Sequence, residues 1–506
     1  MYNFYKTILG CGSNNKYRLN NSNGDNDRLF TATKTNIHSL AQTTIPNSYE
    51  SSKDLTKHSN NNVIINVEDK VKKECCGSTI STRAQNVLSA PSVTIKYNQK
   101  VGADSYHPHT NPQGYVDLGL AENKLCEDII TEKLRTLPTD IDDTDLRYYP
   151  DVKGLPSFRN SLKTFFEREF DSREPLDADN IVVVSGLTAL LESLAFALAD
   201  EEDYIMTTSP YYYRVKNDLT ERARVNVLEV PLIAKPKTRR VKPYTLDVEI
   251  LEEALLCAER EGKRVKAVLL VNPNNPLGDV YTAQQLTHFL EFAARYQLHV
   301  IVDEIYALSV FDPDVTFTSV LSIYHPDRDK VHFLWGFSKD FGLSGYRCGV
   351  LYSNNTSVVK YMVSLGLYQQ TAPLVQQRLR HIIDDTEWLH RVYLPALQDR
   401  LRKHYRMFHD ALVKCGVDVH HSCGGIFIWM DASKYLSEQS PAAEEWLFDQ
   451  FMKEKVFIVP GRACYSNKPG CYRIVFSLDE NICIEGIRRI QNVFRRIRPP
   501  NIQNGF

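Results

Sequence analysis

The chain has 506 residues, 43% of them hydrophobic, which is enough apolar material for one large or two to three ordinary domains. A net charge of −2 offers no general attraction for nucleic acid or an anionic membrane surface, and no apolar run reaches the ~18 residues that span a bilayer. Eleven cysteines without a Cys-x-x-Cys pair or a recognisable secretory leader are expected as reduced thiols in a cytoplasmic protein. Cys464, Cys471 and Cys483 approach the density of a metal site, but buried thiols are the expectation there, and no metal is expected.

Taken in chain order, residues 1–100 are expected to form a mostly disordered extension. Asn, Ser, Thr and Lys dominate stretches such as Gly12-Ser13-Asn14-Asn15 and Ser59-Asn60-Asn61-Asn62, leaving too few large apolar side chains to offset the entropy of ordering. From Tyr106 onward short apolar runs alternate with helical patterns. The first run, Ile181-Val182-Val183-Val184, turns through Ser185-Gly186-Leu187-Thr188 into an amphipathic helix, presenting backbone N–H groups and a hydroxyl at a positive helix end. Tyr204-Ile205-Met206 leads to Pro210-Tyr211-Tyr212, and Val265 to Val271 leads to Asn272-Pro273-Asn274-Asn275-Pro276-Leu277-Gly278. Thr282 to Tyr296 reads as a helix, with Thr282 and Gln285 forming a capping box and Leu286, Phe289, Leu290 and Ala293 on one face. Val300-Ile301-Val302 then ends in Asp303-Glu304-Ile305-Tyr306. Val331 to Trp335 precedes Phe337-Ser338-Lys339-Asp340-Phe341-Gly342-Leu343-Ser344-Gly345-Tyr346-Arg347, and Cys348 to Tyr352 is the last run of this set. Strands separated by helices imply a mainly parallel sheet covered on both faces.

Polar residues collect at the carboxyl ends of these runs, where ligands bind in open α/β sheets. Lys339, Asp303, Tyr306, Asn275 and Arg347 together suit pyridoxal phosphate. A lysine forms a Schiff base with an aldehyde only as the neutral amine, so its ordinary pKa of ~10.4 must be lowered. A carboxylate such as Asp303 would keep a pyridine nitrogen protonated. Tyr306 and Asn275 would hydrogen-bond a ring oxygen, and Arg347 would fork onto a phosphate.

On these motifs the chain resembles the class I aminotransferases of pyridoxal-phosphate fold type I. Within them it is most similar to the 1-aminocyclopropane-1-carboxylate (ACC) synthases and ACC synthase-like proteins. Leu118-Gly119-Leu120-Ala121-Glu122-Asn123-Lys124-Leu125-Cys126 looks like the synthases' amino-terminal signature, and Ser338-Lys339-Asp340-Phe341-Gly342 like their cofactor-lysine motif. The resemblance implies an α/β fold in which a large domain holds a mainly parallel seven-stranded sheet flanked by helices, beside a smaller α+β domain. It implies an arm and part of the small domain over 101–180, the large cofactor-binding domain over 181–390 and the small carboxy-terminal domain over 391–498. Gly186, Leu187 and Thr188 match the family's phosphate cup, Tyr212 the aromatic residue stacked on the cofactor, and Arg473 the arginine that clamps a substrate α-carboxylate. Glu122 matches the synthases' acidic residue near the substrate, and Tyr149 sits where aspartate aminotransferases place a tyrosine near theirs. Two positions depart from the synthase pattern. Val152 replaces a tyrosine contributed across a dimer interface, and Gly336 replaces a serine that helps hold the phosphate.

The resemblance therefore implies a homodimeric, pyridoxal-phosphate-dependent enzyme acting on α-amino acids, with transamination through Lys339 as the expected reaction. ACC synthesis from S-adenosylmethionine, carbon–sulfur lysis, or a cofactor-binding pseudoenzyme with an interaction role are the alternatives.

Overall fold

The computed structural model describes residues 79–89, 93–138, 151–232 and 244–497. Of the chain's two compact units, Ser78–Phe506 contains all of these, and Met1–Gly77 lies outside them. Among the described residues no helix is long and apolar enough to cross a membrane.

Seven strands form the principal sheet: β2 (Ile181–Val184), β3 (Tyr204–Ser209), β4 (Asn226–Pro231), β5 (Val265–Val271), β6 (His299–Asp303), β7 (Val331–Gly336) and β8 (Gly349–Ser353), numbered after a short β1 (Val116–Asp117). Their spatial order is β2-β8-β7-β6-β5-β3-β4. All neighbouring pairs are parallel except the two made by β8, which runs against both β2 and β7. The sheet is thus mixed. Six strands point one way, and β4 is the strand that the apolar runs did not reveal.

Alternation along each strand divides the core in two. Val182, Val184, Leu269, Ile301, Leu334 and Leu351 face the helices Leu187–Leu198 and Thr356–Gln369. Ile181, Val183, Val268, Leu270, Val300 and Val302 join the opposite core with the helices Pro156–Glu169 and Ala283–Arg295. There Phe165, Phe166 and Phe170 pack their rings against Phe333 and Trp335 at 5.1–6.1 Å. The second helix starts on the capping box expected for it, with Thr282 and Gln285 reciprocally bonded and Leu286, Phe289, Leu290 and Ala293 buried.

A smaller sheet of order β12-β13-β10-β9 joins β9 (Asp418–Val419), β10 (Phe427–Asp431), β12 (Val459–Pro460) and β13 (Cys471–Val475). Beside it β1 pairs in parallel with β11 (Val456–Phe457), so the segment that follows β1 starts next to the small sheet. The helix Leu394–Lys414 carries one face of apolar residues onto this layer. The helix Val93–Ala103 straddles the end of the stretch expected to be disordered, residues 1–100. Its Val101 is buried and Tyr97 packs on Phe448 and Phe457, giving that segment the apolar anchor its composition did not suggest. Residues 1–78 lie outside the described residues, as does Tyr149.

Candidate active site

The direction of the strands decides what can meet. β2, β5, β6 and β7 all end at the same edge of the sheet, and because β8 is reversed, its beginning lies there too. Gly186 follows β2, Asn275 follows β5, Asp303 ends β6, Lys339 follows β7 and Arg347 precedes β8. Five residues far apart in sequence thereby share one rim.

Lys339 sits in the short helix Phe337–Asp340, and its amine donates to the Ala121 carbonyl at 2.5 Å. Burial, reinforced by the positive charge of Arg473, lowers its pKa from 10.5 to about 8. Asp303 is 9% exposed and accepts a hydrogen bond from the Ile305 N–H at 3.0 Å; burial raises its pKa from 3.8 to about 7. Tyr306 is buried at the next turn, where its hydroxyl accepts from the Asn275 amide at 3.4 Å and its ring meets Phe427 edge-on at 5.2 Å. Burial also raises the Tyr306 phenol, keeping it protonated.

Arg473 extends from β13 into the same cluster and is fully buried. One amino group donates to the Gly119 carbonyl at 2.6 Å and the other to Asn275 Oδ1 at 3.2 Å, while its plane lies over Tyr213 and Phe427. Its buried Nε has no hydrogen-bond partner among the described residues. Tyr212 packs beside Tyr213 with ring centres 4.8 Å apart, and burial raises its phenol well above the ordinary value. Glu122 is half-buried on the segment after β1 and carries an ion pair to Lys124 at 3.6 Å; its charge acts on Lys339.

At the opposite side of the rim the helix Leu187–Leu198 begins with no side chain capping its N–H groups. Gly186 takes φ 97°, a left-handed conformation open to glycine, and a Cβ there would stand 2.7 Å from the Arg347 guanidinium. Arg347 is exposed, held by the Ser344 and Ser185 carbonyls at 3.0 and 3.3 Å. The uncapped helix start and the guanidinium make an anion cradle. Thr188 is exposed within it, and its hydroxyl is among the groups that act on the buried carboxylate of Asp218. Ser338 sits beside Lys339 and is half-buried.

The two departures noted in the sequence have local explanations. A Cβ on Gly336 would meet the Cys348 carbonyl at 2.7 Å and Leu187 at 3.0 Å, so the space for a serine is taken. Val152 packs on Gly366, whose own added Cβ would stand 2.7 Å from that of Val152.

Three contributors were given no role from the sequence. Asp340 accepts from the Leu308 N–H at 3.1 Å, the Ser309 hydroxyl at 2.7 Å and the Trp335 indole at 3.0 Å, locking the lysine-bearing turn to the loop after Tyr306. Tyr393 fixes the same turn by donating to the Asp340 carbonyl at 2.7 Å. Thr371 ties the Val184 and Arg347 carbonyls together at 2.7 and 3.1 Å, joining both halves of the cradle. The triad of Cys464, Cys471 and Cys483 is not a cluster. All three are buried thiols, pushed by burial up to about 11, 12 and 12.

A seven-stranded mixed sheet of this order, with lysine, carboxylate and anion cradle on one rim, is the fold of the fold-type I pyridoxal-phosphate enzymes. A solved aspartate aminotransferase of Rhizobium meliloti superposes with a TM-score of 0.68 at 18% identity, covering 83% of this chain and all of that one. The sequence pattern described as "Aminotransferase class I and II" matches residues 116–490. A mouse protein named "Probable inactive 1-aminocyclopropane-1-carboxylate synthase-like protein 2" is 36% identical over 400 residues, covering 79% of this chain and 69% of its own length. A probable aminotransferase of Arabidopsis thaliana is 32% identical over 435 residues, covering 82% of this chain and 86% of its own. The chain belongs to the class I and II aminotransferases, as an ACC synthase-like member of that family. Proteins of this family typically bind pyridoxal phosphate.

Proposed function

We propose that this protein is a pyridoxal-phosphate-dependent enzyme that transaminates α-amino acids. The observation carrying the proposal is the convergence of Lys339, whose pKa is lowered to about 8, with buried Asp303 and buried Arg473 on one rim. The residues fit the cofactor. Gly186 leaves open the space beside Arg347 that a Cβ would fill, and the unpartnered Nε of Arg473 lies beside the Asn275–Tyr306 pair. When bound, pyridoxal phosphate supplies a ring that accepts the negative charge developing at the substrate α-carbon.

The chain's own residues do the rest. Gly186, Leu187, Thr188 and Arg347 would hold the phosphate through backbone N–H groups and a guanidinium, and Ser338 borders the same turn. Asp303 would pair with the ring nitrogen; a cation there would return its carboxyl to the ionised state that burial disfavours. Asn275 and Tyr306 act as one hydrogen-bonding unit at the ring oxygen. Tyr212 supplies the flat apolar face that excludes water from the ring. Arg473 would bind the α-carboxylate, for which a guanidinium fork is suited, and its cation holds Lys339 partly unprotonated. Lys339 would then take the α-proton as general base and return it to the former aldehyde carbon of the cofactor, a 1,3 shift that hydrolysis to the keto acid completes as transamination. Glu122 and Tyr149 are assigned to the substrate side of the site.

Exposed Phe196, Leu367, Tyr368 and Leu374 on the helices Leu187–Leu198, Thr356–Gln369 and Pro373–Asp384 support a homodimer. A second reading is a protein that binds cofactor without turnover. It is favoured by the name of the mouse relative and by Val152, which packs within its own chain where the synthases carry a tyrosine contributed across a dimer interface. A panel of α-amino acids added to the cofactor-loaded protein separates the two. Conversion of the bound aldehyde to the amine form supports transamination, while an unchanged spectrum with retained cofactor refutes it. S-adenosylmethionine in the same panel, with cyclopropane product measured, tests the synthase and lyase outcomes.

A further inference from the structure

The loop between β9 and β10 runs His420-His421-Ser422-Cys423-Gly424 and is pinned at almost every residue. Cys423 donates its N–H to the Gly278 carbonyl at 2.9 Å and accepts at its own carbonyl from the Phe311 and Asp312 N–H groups at 3.0 and 3.2 Å. Ser422 donates its hydroxyl to the Leu277 carbonyl at 2.7 Å. Gly278 takes φ 74°, and a Cβ there would strike Ser422 at 2.6 Å, so the two strands of chain touch backbone to backbone. Two residues apart on this extended loop, His421 and Cys423 both line a cavity of about 810 Å³ that includes none of the residues of the proposed active site. Asp312 closes the group. Its Oδ2 lies 2.9 Å from His421 Nε2, and its Oδ1 is oriented by the Asp314 N–H at 3.0 Å. The ligand-capable atoms of Asp312, His421 and Cys423 all lie within 4.8 Å of one another, the single such group of three among the described residues.

The geometry points to a binding site for a borderline-soft divalent metal ion, zinc in the first instance, with Asp312, His421 and Cys423 as ligands. One oxygen, one nitrogen and one sulfur donor exclude the all-oxygen preference of calcium and magnesium and match the donor set of zinc. In a tetrahedral zinc site the ligand atoms stand roughly 3.3–3.8 Å apart, so the carboxylate–imidazole contact opens by a few tenths of an ångström and the sulfur moves in. The Asp314 N–H is the outer-shell bond that aims the carboxylate. The backbone hydrogen bonds fix two of the three ligand positions before any ion arrives, which lowers the ordering cost of binding. Three protein ligands leave a fourth position facing the cavity, the arrangement of an exchangeable site.

The test uses the full-length, cofactor-loaded protein, stripped of metal by a chelator and dialysed free of it. Zinc is titrated with metal content measured by emission spectroscopy, and cobalt is used as the visible probe. The proposal expects one ion per chain and tetrahedral cobalt d–d bands at longer wavelength than the cofactor absorbs. Cys423→Ser shifts the bands and weakens binding by at least about tenfold, and Asp312→Asn and His421→Ala weaken it by at least as much. His421 is exposed, so its alanine variant folds as the parent does, and an unchanged cofactor spectrum checks this. Absence of binding at millimolar metal, or binding that all three substitutions leave unchanged, overturns the site.

Discussion

Asp303→Asn is expected to stabilise the cofactor-free protein and to slow the cofactor-loaded one. The carboxyl is buried and accepts one backbone hydrogen bond, and burial raises its pKa from 3.8 to about 7. An amide of the same shape keeps the bond from Ile305 and removes the charge. In the unfolded chain the group titrates near 3.8, so between there and pH 7 the folded protein binds more protons than the unfolded one. Stability from this group is therefore complete below 3.8 and is lost as pH rises through 7. The loss amounts to about 1.4 kcal/mol per pH unit and levels off at about 4 kcal/mol, an upper bound because a buried site relaxes around its charge. The advantage of Asn over Asp should then grow by about 3 kcal/mol between pH 5 and pH 8. Urea unfolding of both apoproteins at the two pH values, at one fixed protein concentration, measures it. In the cofactor-loaded variant the amino-acid half-reaction should slow by about 10²–10⁴-fold. An advantage that does not change with pH, or an Asn variant less stable at pH 8, would refute the argument that burial dominates this carboxyl.

Lys339 gives a second pH signature: cofactor capture by the apoprotein should rise tenfold per pH unit below pH 8 and level off near it, the Lys339 pKa being about 8, followed by absorbance. Gly186→Ala places a Cβ 2.7 Å from the Arg347 guanidinium in a left-handed backbone, and cofactor affinity should fall by about 10–100-fold in equilibrium dialysis. Gly336→Ser, which restores the synthases' residue, should destabilise the protein by about 1–3 kcal/mol in thermal unfolding and not tighten cofactor binding, because Cys348 and Leu187 occupy the space. Arg473→Gln should weaken use of α-amino acids by about 10²–10³-fold with cofactor still bound, and move the Lys339 capture profile to higher pH by removing a neighbouring cation.

The residues of the rim were legible in the sequence because each sits within a few residues of a β-branched run, and such runs mark buried strands whatever their neighbours. Val182 and Val184, Ile301 and Val302 all announce themselves this way. β4 did not, because Asn226–Pro231 is an edge strand, mostly half-buried and broken in pattern by Glu229, which pairs with Lys216 at 3.1 Å. The reversal of β8 was also unreadable. A fully buried strand has the same composition in either direction, and only its pairing with β2 and β7 shows which way it runs. Asp340 was invisible for a different reason. It stood in the motif next to Lys339, but its partners Leu308 and Ser309 lie about thirty residues away and carry no pattern of their own.

That reversal explains why Gly336 replaces a serine without emptying the site. β8 runs antiparallel between β7 and β2, so Gly349 pairs with Gly336 on one side and Val184 on the other, and three glycines, 186, 336 and 349, meet at the start of the helix Leu187–Leu198. A Cβ on Gly349 would strike Gly186 at 2.7 Å, and one on Gly336 would strike Cys348 and Leu187. Close backbone approach at this point brings the helix start and Arg347 within reach of one anion. The hydroxyl that a serine at 336 would offer is incompatible with that approach. On the proposed reading, the cradle in this chain would rely on backbone N–H groups and one guanidinium, and the charge on Arg347 would carry a larger share of a bound phosphate's interaction than with a serine beside it.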